Sequence, residues 1–552
     1  MDSNSTKPGL SLRFRCDSSS SSGHLEDRVE ISVIGAPEAT KLGTALQECL
    51  TVDDVVKALA FGRFHWILVI ICGLIWWSIG IAALTITILG PQIQCDWNLT
   101  AWNVAIINAI MFVGEAVGAS FWGIIADKYG RKTCLLMSMA FSFYFMVLLS
   151  FAPKYIWFLF LMFMLGFTVA GAVQVSTLCS EFIISNLRAN CLLFIALCWP
   201  CGSICMIGMA SWMLTFMSWQ WFMFICSIPL FIVTVICFWL PESARYYLFR
   251  GRPDNTLAIF QRIARFNGTT LPVGTFMART EQVELGKIQD LFVSQQRRTT
   301  LILGFAWFVE LFSYYGIVLL TTEMMGMDSS CGASDGTDTT SANCIQPCQT
   351  LKPTDYFTMM WTSVAELPGI LVATWAADVL GRKPTTICTL LLFCVSLLCL
   401  MACVNRTATT VLLFIARAMI SGSFQILYVY TTEVFPTMTR AIAVGMCSSC
   451  GRVGIISTPF VAQVLIHMFS IYTFVLYASL SFLCCISLLL LPLETKGRIL
   501  MDGLNDDLAV QKPEDVPKIN VNARWWPFGI KKNKAKASRK VCFAKEELSV
   551  KF

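Results

Sequence analysis

Four ionisable side chains lie inside long apolar runs of this sequence: Glu115 in "FVGEAVGASF", Glu310 in "WFVELFSYY", Glu366 in "SVAELPGIL" and Arg452 in "CGRVGIIS". A charge at the centre of a bilayer costs roughly 2.5–3.5 kcal/mol on insertion scales, so each needs a partner or a wet cavity. Two chemistries suit them. A carboxyl that is alternately dried and wetted can exchange a proton or bind a cation, and a guanidinium fork can grip a carboxylate or sulfate. The competing readings are structural: a glutamate bonded to a neighbouring helix, and Arg452 held in an internal ion pair with Glu310 or Glu366. Trp199, Tyr314, Tyr315, Trp361 and Tyr428 occur in similar runs. They either stack on a flat or cationic solute as cavity aromatics or fill the core.

The elements that position these groups follow from composition. Of 552 residues, 56% are hydrophobic and 14% charged, against about 25% charged in a soluble domain. The apolar residues gather into continuous runs of about 20, enough to cross a hydrocarbon layer of roughly 30 Å. The runs do not alternate, which argues against a barrel. The expected fold class is all-α: a polytopic membrane protein with twelve transmembrane helices in two pseudo-symmetric six-helix bundles. The spans are read at 64–90, 103–126, 133–152, 156–180, 190–214, 219–240, 299–323, 356–378, 384–404, 408–431, 441–466 and 470–491.

The corresponding organisation is a disordered tail (1–63) with the run Ser18 to Ser22, a bundle (64–240), a linker loop (241–298), a second bundle (299–491) and a tail (492–552). That last tail carries "RWWPFGIKKNKAKASRK", which either lies on an anionic leaflet or is solvated. Lys128, Arg131, Lys132, Arg188 and the arginine-rich 241–298 loop put one set of loops, and both termini, in the cytosol. Cys95, Cys331, Cys344 and Cys348 then share the opposite, oxidising side, where four thiols allow two disulfides in any of three pairings. The sequons at Asn98 and Asn405 face that side in short loops, and the one at Asn267 faces the cytosol.

Several function classes are disfavoured. The 24 cysteines sit mostly in apolar runs, and the three histidines (His24, His65, His467) flank no cysteine pair, so no metal centre or cofactor is expected. No nucleophile–histidine pair suggests an enzyme. A formal charge of +6 is spread too thinly to suggest nucleic acid.

The sequence repeats itself. Asp127, Gly130, Arg131 and Lys132 of "GIIADKYGRK" return as Asp378, Gly381, Arg382 and Lys383, each 251 positions later. Glu115 and Gly118 match Glu366 and Gly369 at the same offset, and Glu181 and Arg188 match Glu433 and Arg440 at 252. Six spans per copy keep both copies in one orientation, and two facing copies enclose a cavity that rocking exposes to either side. Asp127 at its helix end pairs with Arg131 or with bases of the other half, forming a cytosolic gate. The plainer reading is a helix-end turn.

These motifs carry a resemblance. "GIIADKYGRK", "EFIISNLRA", "PESARYYLFRGR", "TEVFPTMTRA" and "PLETKG" are similar to signatures of the major facilitator superfamily, in its sugar-porter and organic-ion branches. "PQIQCDW", "FSYYGIVLLTTE", "AELPGILV" and "LFIARAMISGSFQ" resemble the synaptic vesicle 2-related family, and the likeness runs from about 50 to 500. The resemblance implies a monomeric transporter of a small organic ion, in a plasma or vesicle membrane, working by alternating access with a proton or cation as coupling partner. The alternative is a transporter-shaped receptor or scaffold.

Departures qualify it. Ala196 stands where sugar porters carry a glutamine, Ile79 and Ala82 replace span-one acids of the vesicle family, and Met162 stands where an arginine matching Arg417 is expected. Arg452 resembles the arginine of organic-anion carriers.

Overall fold

The computed structural model describes residues 49–272, 275–276, 288–326, 351–402 and 405–496. Among these, twelve helices are long and apolar enough to cross a membrane. In the first half they are Arg63–Trp97, Ala101–Tyr129, Arg131–Ser150, Tyr155–Phe182, Ser185–Met213 and Trp219–Cys237 (spans one to six). In the second they are Gln296–Met325, Pro353–Leu380, Arg382–Leu400, Arg406–Val434, Thr439–Met468 and Ser470–Leu489 (spans seven to twelve). The protein is a multi-pass, all-helical membrane protein. Span one begins and span twelve ends on the same face, the proximal face; the other is the distal face.

Packing repeats with the sequence. Spans one and five, two and four, and three and six pack together, and so do seven and eleven, eight and ten, and nine and twelve. The halves meet through span two against eleven and span five against eight. Close backbone approach sets the register inside each half. A Cβ on Gly118 would collide with the Phe167 carbonyl oxygen, and one on Gly369 with the Ala418 carbonyl oxygen. Small residues at such crossings let helices pack without a hydrophobic drive between them.

Helix ends are specified locally. Asn405 caps span ten by accepting from the Ala408 N–H (2.9 Å), which satisfies a donor that the first turn leaves free. Spans two and three, and eight and nine, are joined by single glycines, Gly130 (φ 105°) and Gly381 (φ 112°), in a backbone region nearly closed to other residues. In span eleven, Pro459 precedes a π-helical turn, Phe460–Leu465. Proline withholds an N–H from the helical ladder, and π turns often mark functional sites.

The segment after span six differs from the expected loop. It forms two helices, Ala244–Phe249 and Pro253–Asn267. The Asn267 Oδ1 accepts from the Phe64 N–H (3.0 Å) at the start of span one. Tyr246 (3.0 Å) and Arg250 both donate to the Lys128 carbonyl. These bonds fix the helices under the first half. Two residues, Cys49–Leu50, pair in parallel with Thr275–Phe276. Cys95 is disulfide-bonded; Cys331, Cys344, Cys348 and most of the 492–552 tail lie outside the described residues.

Candidate substrate site and gates

The centre of the molecule is crossed by an ion pair between the halves. Arg452 Nη1 of span eleven donates to Glu115 Oε1 of span two over 3.2 Å, with the two side chains 15% and 23% exposed. Neither carboxylate expected to hold Arg452, Glu310 or Glu366, does so. Phe112, one turn from Glu115, meets Tyr315 edge-on (5.0 Å between ring centres). Tyr315 lies within electrostatic reach of Glu115, Arg452 and Glu366.

Glu366 is bound differently. Arg417 donates to its Oε1 from Nε (3.2 Å) and Nη2 (2.7 Å), and Tyr314 donates to its Oε2 (3.0 Å). Both members of this pair are almost fully buried, at 3% and 1% exposed. Tyr314 accepts from Trp199 Nε1 of span five (3.0 Å). Trp199 in turn packs against Trp76, whose Nε1 reaches Ser176 (3.3 Å). A polar and aromatic chain thus runs from span four, through the junction of the halves, to span ten. Arg417 also borders a small gap with Thr87, Ser203 and Thr321.

The two pairs differ because neither arginine is repeated: at the 251-residue offset Arg452 has Cys201 as its counterpart, and Arg417 has a glycine. The crossings Gly118–Phe167 and Gly369–Ala418 share the 251-residue offset, so the counterpart of Arg417 is Gly166, not Met162. A Cβ on Gly166 would strike the Met111 carbonyl; there is no room for an arginine. Glu115 therefore lacks a partner from its own half and reaches across.

Glu310 stands apart from this centre. It is fully buried, accepts from Ser423 of span ten (2.5 Å), and its Oε2 has no hydrogen-bond partner. Tyr428 is half-exposed and packs on Trp307 (5.9 Å). Trp361 is not at the centre. It shares an exposed apolar stripe with Phe357, Leu371, Val372 and Trp375 and meets Phe414 at a tilt (5.9 Å between ring centres). Five residues separate it from Glu366, about 140° around the helix, so it faces away, on a stripe suited to lipid.

The distal face holds a second network that the sequence reading missed. Asn108 of span two donates to Gln463 in the π turn (3.0 Å), and Gln463 donates to Glu323 of span seven (3.1 Å). His467 bonds the other oxygen of Glu323 (3.1 Å). Trp102 packs on Phe460 beside it (5.8 Å).

On the proximal face the repeated motifs bind within their own halves. Arg131 pairs with Asp127 (2.5 Å) and stands 4.0 Å from Glu181. Arg382 pairs with Asp378 (3.3 Å) and grips Glu433 with two bonds, 3.2 and 3.3 Å. Lys132 donates to the Phe238 carbonyl (2.9 Å) and Lys383 to those of Leu489 and Leu491 (3.0 and 2.8 Å). Arg188 and Arg440 donate to the carbonyls of Ile183 and Phe435 (both 3.4 Å). The acids inside "LPES" and "LPLET" complete the motif. Glu242 accepts from the N–H of Lys132 (3.0 Å), and Glu494 from those of Arg382 and Lys383 (2.8 and 3.0 Å). Each carboxylate caps the start of a span and also meets the favourable end of its dipole. The ion pairs Arg131–Asp127, Arg131–Glu181, Arg382–Asp378 and Arg382–Glu433 each lie within one half.

Comparison with known proteins agrees with this architecture. Residues 66–341 match the family model "Sugar (and other) transporter", and residues 354–513 match "Major Facilitator Superfamily". The partially occluded, inward-open structure of the xylose transporter XylE from E. coli has the same fold. Its TM-score is 0.61 at 14% identity, covering 79% of this chain and 100% of that one. The chain is a membrane transporter of the major facilitator superfamily.

Its relatives narrow this. The synaptic vesicle 2-related protein of Rattus norvegicus is 40% identical over 469 residues, 85% of each chain. The putative transporter SVOPL of Homo sapiens is 34% identical, covering 82% of this chain and 93% of its own. Within the superfamily, the chain belongs with the synaptic vesicle 2-related proteins.

Proposed function

We propose that the protein moves a small organic ion across a vesicle or plasma membrane by alternating access, with Arg452 and Glu115 at the substrate site. The observation that carries this reading is the Arg452–Glu115 pair. It bridges the two halves at mid-span, and it is partly exposed, whereas the Arg417–Glu366 pair within the second half is sealed. A solute that takes over either group changes what holds the halves together, and that couples binding to their movement.

Support for a distally closed state comes from the Asn108–Gln463 bond and the Trp102–Phe460 contact, both between the halves. The proximal face is the cytosolic one in this reading, because Lys128, Arg131, Lys132, Arg382 and Lys383 cluster there. The domain plan 64–240 and 299–491 then corresponds to the two moving bodies, working as a monomer. A proton or small cation is the coupling partner, carried on Glu310, since both oxygens of Glu366 are already engaged and Glu115 is committed to Arg452 and the substrate. One of the solved neighbours is described as a proton:xylose symporter. Sugar is not the cargo proposed here, because Ala196 lacks the hydrogen-bonding side chain that a sugar hydroxyl needs.

One observation favours a transporter-shaped receptor instead. Ile79 and Ala82 are buried apolar residues at the span-one positions where acids were expected. Reconstitution separates the two readings. Purified protein in liposomes should show saturable uptake of members of an organic-ion panel, tested with and without a pH gradient. Absence of flux for the whole panel would overturn organic-ion transport and favour the receptor reading.

A further inference from the structure

Resting on the transport reading above, we infer that the cargo is a zwitterion: a compact molecule with one carboxylate, one ammonium and an aromatic body. The argument begins with the charges at the centre. Arg452 and Glu115 neutralise each other through a single hydrogen bond of 3.2 Å. Arg452 therefore keeps unused donors, and Glu115 a free oxygen, on side chains that solvent reaches.

Consider what each class of ion does to this pair. An organic anion that binds Arg452 draws it from Glu115 and strands a carboxylate in a poorly hydrated place. An organic cation that binds Glu115 strands the guanidinium. Either way one charge is left uncompensated in a site that water only partly reaches, which is unfavourable, though less so than for a sealed charge. A zwitterion replaces the one internal pair with two: carboxylate to guanidinium, ammonium to Glu115. No charge is stranded and the site stays neutral. Discrimination of this kind works by penalising the wrong ligand as well as by holding the right one.

The second half of the molecule supplies the contrast. Arg417 and Glu366 occupy both of each other's recognition edges, with Tyr314 on the remaining oxygen, and are sealed. That pair is built to stay closed; the Arg452–Glu115 pair is built to open. The body of the cargo is indicated by what stands beside the open pair. Phe112 and Tyr315 form an edge-on contact one turn from Glu115, and Tyr315 adjoins Tyr314, which bonds Trp199. Such rings favour a further aromatic group, which can stack or meet them edge-on.

The test uses full-length protein and matched probes. Phenylalanine, tyrosine and tryptophan are each offered as the free amino acid, the methyl ester (a cation) and the N-acetyl derivative (an anion). Binding is read by competition and thermal shift on purified protein, and transport by uptake into liposomes. The free amino acids should bind on the order of tenfold more tightly than either singly charged form. Glu115→Gln should raise the N-acetyl form above the ester, and Arg452→Gln should do the reverse. The charge-exchanged double variant, Glu115→Arg with Arg452→Glu, should restore preference for the free amino acid, and this covers the case in which a single variant fails to fold. Failure of all three amino acids to bind, or a singly charged form binding as tightly as the free amino acid, overturns the proposal. Binding in the expected order without uptake overturns the transport reading alone; uptake of singly charged probes alone overturns the zwitterion and leaves transport standing.

Discussion

Glu115 and Glu366 occupy equivalent places in the two halves, 251 residues apart, yet one bonds across the molecule and the other stays home. The cause is Gly166, which stands where the second half has Arg417. A duplicated framework has thus been made unequal at two positions, Gly166 against Arg417 and Cys201 against Arg452, and the inequality gives one half's acid to the other half's base.

The two ion pairs should respond differently to mutation. Arg417→Gln leaves Glu366 buried with its main partner gone, and removing one member of a buried pair typically costs about 3–5 kcal/mol. Arg452→Gln leaves Glu115 in partial contact with solvent and should cost less, about 1–2 kcal/mol, between the exposed and the sealed case. Thermal denaturation in detergent should rank Arg417→Gln well below Arg452→Gln. Equal losses would contradict the assignment of one pair as sealed and the other as exchangeable.

The proximal motifs should prove unequal too. Glu433 accepts two guanidinium bonds and a third from Thr495 (2.6 Å). Glu181 stands 4.0 Å from its arginine. Glu433→Gln should therefore lower the melting temperature clearly more than Glu181→Gln. A larger effect at Glu181 would invert the geometry described here.

At Gly130 and Gly381 any side chain meets both a forbidden backbone region and a carboxylate, Glu242 or Glu494. Alanine at either site should cost about 1–3 kcal/mol. The same change at Gly123, where a Cβ has open space, should be neutral or slightly stabilising. The comparison of melting temperatures isolates the turn from a general effect of removing glycine.

The distal network predicts a labelling result. Asn108→Leu removes the donor to Gln463 and so one of the bonds closing that face. A cysteine placed at Thr321, which borders the gap between the halves, should react several-fold faster with a membrane-impermeant thiol reagent added from the distal side. Unchanged reactivity would show that the bond does not contribute to closure.

Much of this architecture was legible in sequence because it is written twice. The twelve apolar runs and the paired Asp-Gly-Arg-Lys turns carry their own internal control, and the structure repeats their bonds nearly residue for residue. The acids Glu242 and Glu494 were legible on the same ground, in "LPES" and "LPLET", but were read only as family motifs. What escaped reading was whatever breaks the repeat. The Glu115–Arg452 bond joins residues 337 apart with no counterpart to betray it. Placing Gly166 opposite Arg417 requires the glycine crossings, which fix a helix register that spacing alone leaves loose by a turn. Trp361 was misplaced because a membrane helix has apolar residues on every side, so periodicity cannot tell the inward face from the lipid face. The distal network depends on a π turn that re-aims Gln463, and such a turn leaves no pattern in composition.

The carboxylates of Glu242 and Glu494 fasten the beginning of the third helix of each half to the strand of chain leaving its sixth. Mechanically this closes spans three to six, and nine to twelve, into hoops. In the alternating-access cycle proposed above, a hooped segment resists being peeled open one helix at a time, so the work would fall on the few bonds between the halves rather than on the many within them.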